Sequence, residues 1–171
     1  FPHERPEITI KDPVYGSSVV FEPEIVTTDL DSFKLNVVLT NLGRSVTSTF
    51  TITASRYYNC ANATPDEIQY KTLDALNFRD TLTFTFPVNS SVALGQNCFD
   101  VEVDLPNTLI TEFDNFVNNQ VTRQEVTISS TDIFPVFPYD YAVVPDFDVT
   151  LIANTGLPFL PEASYQLEID T

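Results

Sequence analysis

The chain contains no methionine or tryptophan, one histidine, two cysteines, four glycines, and eight Lys plus Arg against 24 Asp plus Glu. Each scarcity argues against a class of function. A formal net charge of −16 repels phosphate backbones, so no nucleic-acid partner is expected. His3 is the sole histidine. A Cys–His nucleophilic pair would have to combine it with Cys60 or Cys98, and a structural zinc site lacks ligands. Four glycines leave no room for a Gly-rich phosphate loop. No apolar run approaches the ~20 residues of a membrane-spanning helix, so no membrane insertion is expected. The chain opens at Phe1-Pro2-His3 without a charged and then apolar leader, which reads as a mature product or an excised piece. An even cysteine count in a chain of secreted character suggests a Cys60–Cys98 disulfide, the other reading being two buried thiols. Its loop of about 38 residues would stabilise the fold by roughly 3–4 kcal/mol.

What the sequence does have is alternation. Phe33, Leu35, Val37 and Leu39 alternate with Lys34, Asn36, Val38 and Thr40. Phe50, Ile52 and Ala54 alternate with threonines and Ser55, Leu82, Phe84 and Phe86 with threonines, and Phe99, Val101 and Val103 with Asp100, Glu102 and Asp104. A period of two with one polar face marks half-buried strands, and threonine on the wet face suits a pleated surface. Strands are expected near 7–11, 18–27, 33–41, 48–57, 67–73, 80–87, 98–104 and 120–129, with 98–104 central. Asp66 to Leu76 reads as a short helical turn or an extra edge strand. Asn41-Leu42-Gly43-Arg44 is a turn in which Gly43 can take positive φ. About seven short strands separated by turns predict an all-β, immunoglobulin-like antiparallel β-sandwich over residues 6–130.

After Ser130 the composition shifts. Residues 131–147 are rich in proline and aromatics and read as an extended connector, because residues before proline avoid the helical region. Phe134, Phe137, Tyr139 and Tyr141 are expected to glue it to the first module. Asp148 to Ala153 and Ala163 to Asp170 read as strands, so residues 148–171 look like the start of a second, incomplete β module.

The segment VEVDLPNTLITEFDNFVNN, residues 101–119, is the most informative. A strand ends at Asp104, Pro106-Asn107 turn the chain, Leu109 and Ile110 return toward the core, and a polar arch leads to the last strand. Asp104, Asn107, Glu112, Asp114 and Asn118 offer several oxygens within fifteen residues. They either cap backbone donors in an irregular loop or hold a calcium ion. Asp29 and Asp31 form a weaker pair that a polar turn explains equally. Acids alternating on a strand, such as Asp100, Glu102 and Asp104, read as a solvated face rather than a glycosidase pair. Asn62-Ala63-Thr64 and Asn89-Ser90-Ser91 match the glycosylation sequon by chance, and Tyr57-Tyr58 reads as edge packing.

The arch resembles the hallmark of the CARDB family, cell-adhesion-related modules of immunoglobulin-like fold, at Asp104, Asn107, Ile110, Glu112, Asn118 and Asn119. The turn Leu39-Thr40-Asn41-Leu42-Gly43 is similar to a second feature of that family. The likeness covers roughly residues 6–130. It departs in the arch, which is one residue longer and has Asn115 or Phe116 where a second acid is usual. From Pro135 onward the tail resembles segments of large secreted Bacteroidetes proteins of the type IX secretion system, including chains with gingipain-type, sortase-like cysteine peptidase domains. The resemblance implies a secreted or outer-surface setting and an accessory, non-catalytic role. The expected function is therefore a spacer or a protein-interaction and adhesion module, with a carbohydrate-binding module as the alternative. Its expected partners are other domains of the parent chain, a protein or a surface glycan.

Overall fold

The computed structural model describes residues 4–12, 16–104, 110–112, 118–138, 143–144, 148–156 and 164, with 11–12 and 16–17 described by backbone alone. In chain order the strands are β1 (Ile8–Thr9), β2 (Lys11–Asp12), β3 (Gly16–Ser17), β4 (Val19–Glu22), β5 (Val26–Thr27), β6 (Ser32–Asn41) and β7 (Phe50–Tyr57). There follow β8 (Glu67–Leu73), β9 (Arg79–Pro87), β10 (Gly95–Val103), β11 (Gln120–Ser129), β12 (Ile133–Phe137) and β13 (Ile152–Thr155). No helix occurs among the described residues.

Two sheets face each other. In the first, β6 pairs with β9 along Ser32–Thr40 on one flank and with β4 and β1 on the other. The second runs β5-β11-β10-β7-β8, with β10 in the middle. Beside them, β2 pairs with β3, and β12 pairs antiparallel with β13. The β12 strand thus lies within the proline- and aromatic-rich segment that composition reads as a connector. Phe134 and Phe137, expected to glue the connector to the first module, are instead exposed on β12, and Tyr139 and Tyr141 lie outside the described residues. Of the strand expected over 163–170, only Ser164 is described.

Two details differ from the expected layout. The run expected as one strand over 18–27 is two strands in different sheets, β4 in the first and β5 in the second. Pro23 lies between them and offers no amide to a ladder, so pairing cannot continue through it. The second difference follows: β5 joins β11 in parallel, Val26 opposite Ile128, so the sandwich is not wholly antiparallel. The region Asp66–Leu76 resolves as an edge strand, β8, rather than a helical turn.

The apolar residues of β6, β7, β9, β10 and β11 fill the space between the sheets. Phe99 is the hub, with ring centroids of Phe86 at 5.0 Å, Phe21 at 5.3 Å and Phe33 at 5.9 Å in tilted or edge-on geometry. Burying each such ring contributes about 2–3 kcal/mol, and edge contacts add about 1 kcal/mol. On β8 the inward face is polar before Leu73: the Lys71 ammonium lies 5.6 Å from the Phe84 ring centre, and Gln69 Nε2 donates to Thr85 O at 2.9 Å. Inward-pointing polar groups on an edge strand discourage pairing with another chain.

Strand parity carries one charge into the core. Arg56 continues the inward series Phe50, Ile52, Ala54 and is fully buried. Its guanidinium donates to Asn97 Oδ1 (3.1 Å) and Pro87 O (2.6 Å), pairs with Glu67 Oε2 (3.4 Å), and lies over the Phe33 and Tyr58 rings. Burial pushes its pKa down, and Glu67 opposes that shift. Together these layers form an immunoglobulin-like β-sandwich.

Candidate functional site

The arch begins where β10 ends. Val103 N–H donates to Asn119 O at 2.9 Å, and Asp104 N–H donates to Thr51 O at 2.8 Å. Asp104 then takes φ 54°, the left-handed region that Asp tolerates better than most residues. Its Oδ2 accepts from Ile110 N–H at 2.7 Å, which turns Ile110 back into the core. Farther along, Glu112 Oε2 accepts from Asn119 Nδ2 at 2.8 Å. Part of the arch therefore does the capping work that Asx and Glx side chains do in irregular loops.

The N-terminal strand completes the cluster. Asn118 Nδ2 donates to Glu7 Oε1 at 2.7 Å, while Asn118 O accepts from Ile10 N–H at 3.0 Å. Glu7 N–H in turn donates to Asn41 Oδ1 at 3.1 Å, and Asn41 Nδ2 donates to Arg44 O at 2.8 Å. The expected Asn41-Leu42-Gly43 turn is thus a clasp on the chain before β1. Gly43 is required for a different reason than positive φ: a Cβ there would run into the Arg5 carbonyl oxygen, which accepts from Arg44 N–H at 3.0 Å.

Asp104, Glu112 and Asn118 of the sequence-expected calcium set come together here, whereas Asn107 and Asp114 lie outside the described residues. Sequence reasoning missed Glu7 as a member and left Asn119 out of the ligand set. Glu7 is 111 residues from Asn118, and nothing local marks it. Asn119 is marked by its pairing with Asn118 in the resemblance.

The electrostatics are unbalanced. Glu7, Asp104, Glu112 and Asn119 are all buried. Asp104 Oδ1, Glu112 Oε1, Asn118 Oδ1 and Asn119 Oδ1 are buried oxygens without a hydrogen-bond partner. Burial, with the neighbouring charges of Glu7 and Asp104, pushes the Glu112 carboxyl up to about 7, against the Asn119 amide and the Ile8 backbone. Leaving a buried acceptor unsatisfied costs about 1–3 kcal/mol each, and a hard cation takes such oxygens as ligands. Among the described residues, however, no three of these carboxyl groups bring an oxygen each within 4.8 Å of one another. Any cation here would combine carboxylate with amide oxygens.

Elsewhere, Cys60 and Cys98 form a disulfide with Cα atoms 5.0 Å apart. Glu125 lies beside them, but sulfurs joined to each other are no metal ligands. Two open grooves mark the surface, one along Val19–Phe21 and Glu125–Thr127, the other along Glu4–Pro6 and Arg44–Ser48. Every ionisable side chain lining them is exposed. Exposure leaves such groups without the desolvation that tunes catalytic acids and bases.

No protein-family model and no curated protein matches the chain. Among solved structures it is similar to the CARDB domain of a Pyrococcus furiosus protein in complex with di-metal ions, at TM-score 0.50 and 22% identity, over 75% of this chain and 97% of that one. It is also similar to a domain assigned to a cell surface protein of Methanosarcina acetivorans, at TM-score 0.45 and 17% identity, over 65% and 88% of the two chains. The first likeness is one of fold: this chain has the sandwich architecture of a CARDB domain.

Proposed function

We propose that this chain is a non-catalytic, extracellular β-sandwich module that spaces or orients neighbouring parts of a larger secreted or surface protein and engages a protein partner. One observation carries the reading. Among the described residues, the buried charged groups Arg56, Glu7, Asp104 and Glu112 and the buried Tyr57 hydroxyl are tied into the packing of strands and arch, while the ionisable groups lining the grooves are exposed. A reactive centre needs the reverse, shifted groups facing a cleft. The disulfide supports an oxidising, extracellular setting. The tail's resemblance to type IX-secreted chains supports the finer placement, and the β12–β13 ribbon is read as the first part of a second β unit. A sugar platform needs at least two exposed aromatics on one face. On the outer face of the second sheet, Tyr70 is exposed but Tyr57 is buried under the Arg123 guanidinium, 4.0 Å from its ring centre.

The same reading gives the arch a hard divalent cation, calcium, held by Asp104 and Glu112 with amide oxygens of Asn118 and Asn119. The unpartnered buried oxygens support it, and so does the fact that the Pyrococcus CARDB domain was solved with di-metal ions. The full chain is expected to hydrolyse neither peptides nor glycosides, to give no glycan-array signal, and to melt higher with calcium at about 2 mM than with chelator. Turnover by the pure chain, or an array signal lost in Tyr70→Ala, overturns the module reading. An unchanged melting temperature overturns the cation.

A further inference from the structure

Strand β1 is short. It pairs with β6 at Ile8 opposite Asn41 and Thr9 opposite Thr40, and the chain before it is held by Leu42 N–H on Glu7 O and Arg44 N–H on Arg5 O. What surrounds it is more telling. Ile10 N–H donates to Asn118 O, at the entrance to β11 in the other sheet, and Glu7 Oε1 accepts from the Asn118 side chain. β1 is therefore the piece that ties the first sheet to the second at this end of the sandwich. The tie runs through the cluster that holds three buried carboxyl groups and four buried oxygens without partners.

We infer that a calcium-type cation taken up among Asp104, Glu112, Asn118 and Asn119 locks β1 to the arch through Glu7, so that the N-terminal strand is a cation-operated clasp between the two sheets. This rests on the cation reading above and adds what the cation does. Without it, three acids and four unpartnered oxygens share a desolvated space, and opening of the short strand admits water to them. With it, those groups are drawn to a common charge. Asn118, whose side chain and carbonyl both hold β1, is fixed at the same time. Residues 5–10 would then be held firmly on both sheets only when the cation is bound, which is how a spacer can be stiffened by its environment.

Amide hydrogen exchange on the full chain tests this, with 2 mM-scale calcium, magnesium or chelator, alongside calorimetric titration with calcium chloride. The Ile10 and Leu42 amides, which bond Asn118 O and Glu7 O, are expected to exchange roughly tenfold to a hundredfold more slowly with calcium. The Leu35 amide in the middle of β6 is expected to change little. Glu7→Gln keeps an acceptor for Asn118 and removes the charge. It is expected to bind calcium still, while losing most of the added protection at Ile10. If calcium binds and Ile10 exchange does not slow, the clasp is overturned and the cation site stands. If the native chain shows no heat of calcium binding, the cation reading falls and the clasp with it. A Glu7→Gln chain that retains the full protection also overturns the clasp, and one that does not fold leaves the wild-type exchange result to decide.

Discussion

The two ends of β10 solve the same problem in opposite ways. At its start, Asn97 and the buried Arg56 form a network in which Asn97 Nδ2 donates to Ala93 O (2.7 Å), Asn97 Oδ1 accepts from Arg56 Nε, and Arg56 also reaches Pro87 O and Glu67. One positive charge meets one acid and several carbonyls, and neither Arg56 nor Asn97 has a buried side-chain nitrogen or oxygen without a partner. At its end, Asp104 opens an arch where acids meet acids and each of four side chains leaves an oxygen unpartnered. One end is complete with protein atoms alone. The other leaves four acceptors that the protein's own donors do not reach. The lesson is that satisfied polar burial holds a fold together, and unsatisfied polar burial points to a missing partner.

The largest effect that separates the ends is expected from Arg56→Ala. It strands Asn97 Oδ1 in the core, takes the cation from half-buried Glu67 and from the Pro87 carbonyl, and removes a cation from above the Phe33 and Tyr58 rings. Breaking such a network from one side costs about 3–5 kcal/mol. Arg56→Lys should recover little, because a single ammonium cannot reproduce the fork. Urea unfolding of the oxidised chain reads both. A loss under 1 kcal/mol for Arg56→Ala would mean that the start of β10 is no better tied than its end.

A smaller effect of opposite character is expected from pH in the cation-free chain. The Glu112 carboxyl is pushed up to about 7 in the fold, above its ordinary value of 4.5. The folded state therefore holds a proton that the unfolded chain has lost between those values. Stability from this group is full at the low end of the window and falls as pH rises through about 7, by up to roughly 3 kcal/mol. The urea midpoint at pH 5.5 should exceed that at pH 8, and Glu112→Gln should flatten the difference. Saturating calcium should flatten it too, since a cation favours the ionised carboxylate. A wild-type midpoint that rises from pH 5.5 to 8 would remove the contrast between the two ends.

Much of this was open to reading from the chain, and the limits have physical causes. Alternation from Phe33 to Leu39 and from Phe99 to Val103 placed the long strands and the central position of β10, because dyad periodicity survives wherever one face is buried. Carried two residues past Ala54, the same parity points at Arg56 inside the strand expected over 48–57, but a charge is not expected at an inward position. Pro23 marks a break within 18–27, but the change of sheet from β4 to β5 was hidden because Val19 and Val26 look alike as apolar strand residues whichever sheet they join. In the arch, Asp104, Glu112 and Asn118 carried their own local pattern. Glu7 carried none, since its role depends on pairing between β1 and β6 and on a contact across most of the chain.

The finest test of the contrast is Asp104→Asn, because it changes charge and little else. Asn tolerates the φ of 54° as readily as Asp and can still accept from Ile110 N–H. The turn into the core is preserved, and one of three crowded acids is neutralised. In the cation-free chain at pH 8 the change is expected to be small, within about 0.5 kcal/mol or slightly stabilising, because lost repulsion offsets a weaker charge-assisted hydrogen bond. With calcium the sign should reverse, since a carboxylate ligand has become an amide and the cation-dependent gain in melting temperature shrinks. A substitution that destabilises with chelator by as much as Arg56→Ala would show that the Asp104 charge is already met by protein atoms, and the end of β10 would then be as self-sufficient as its start.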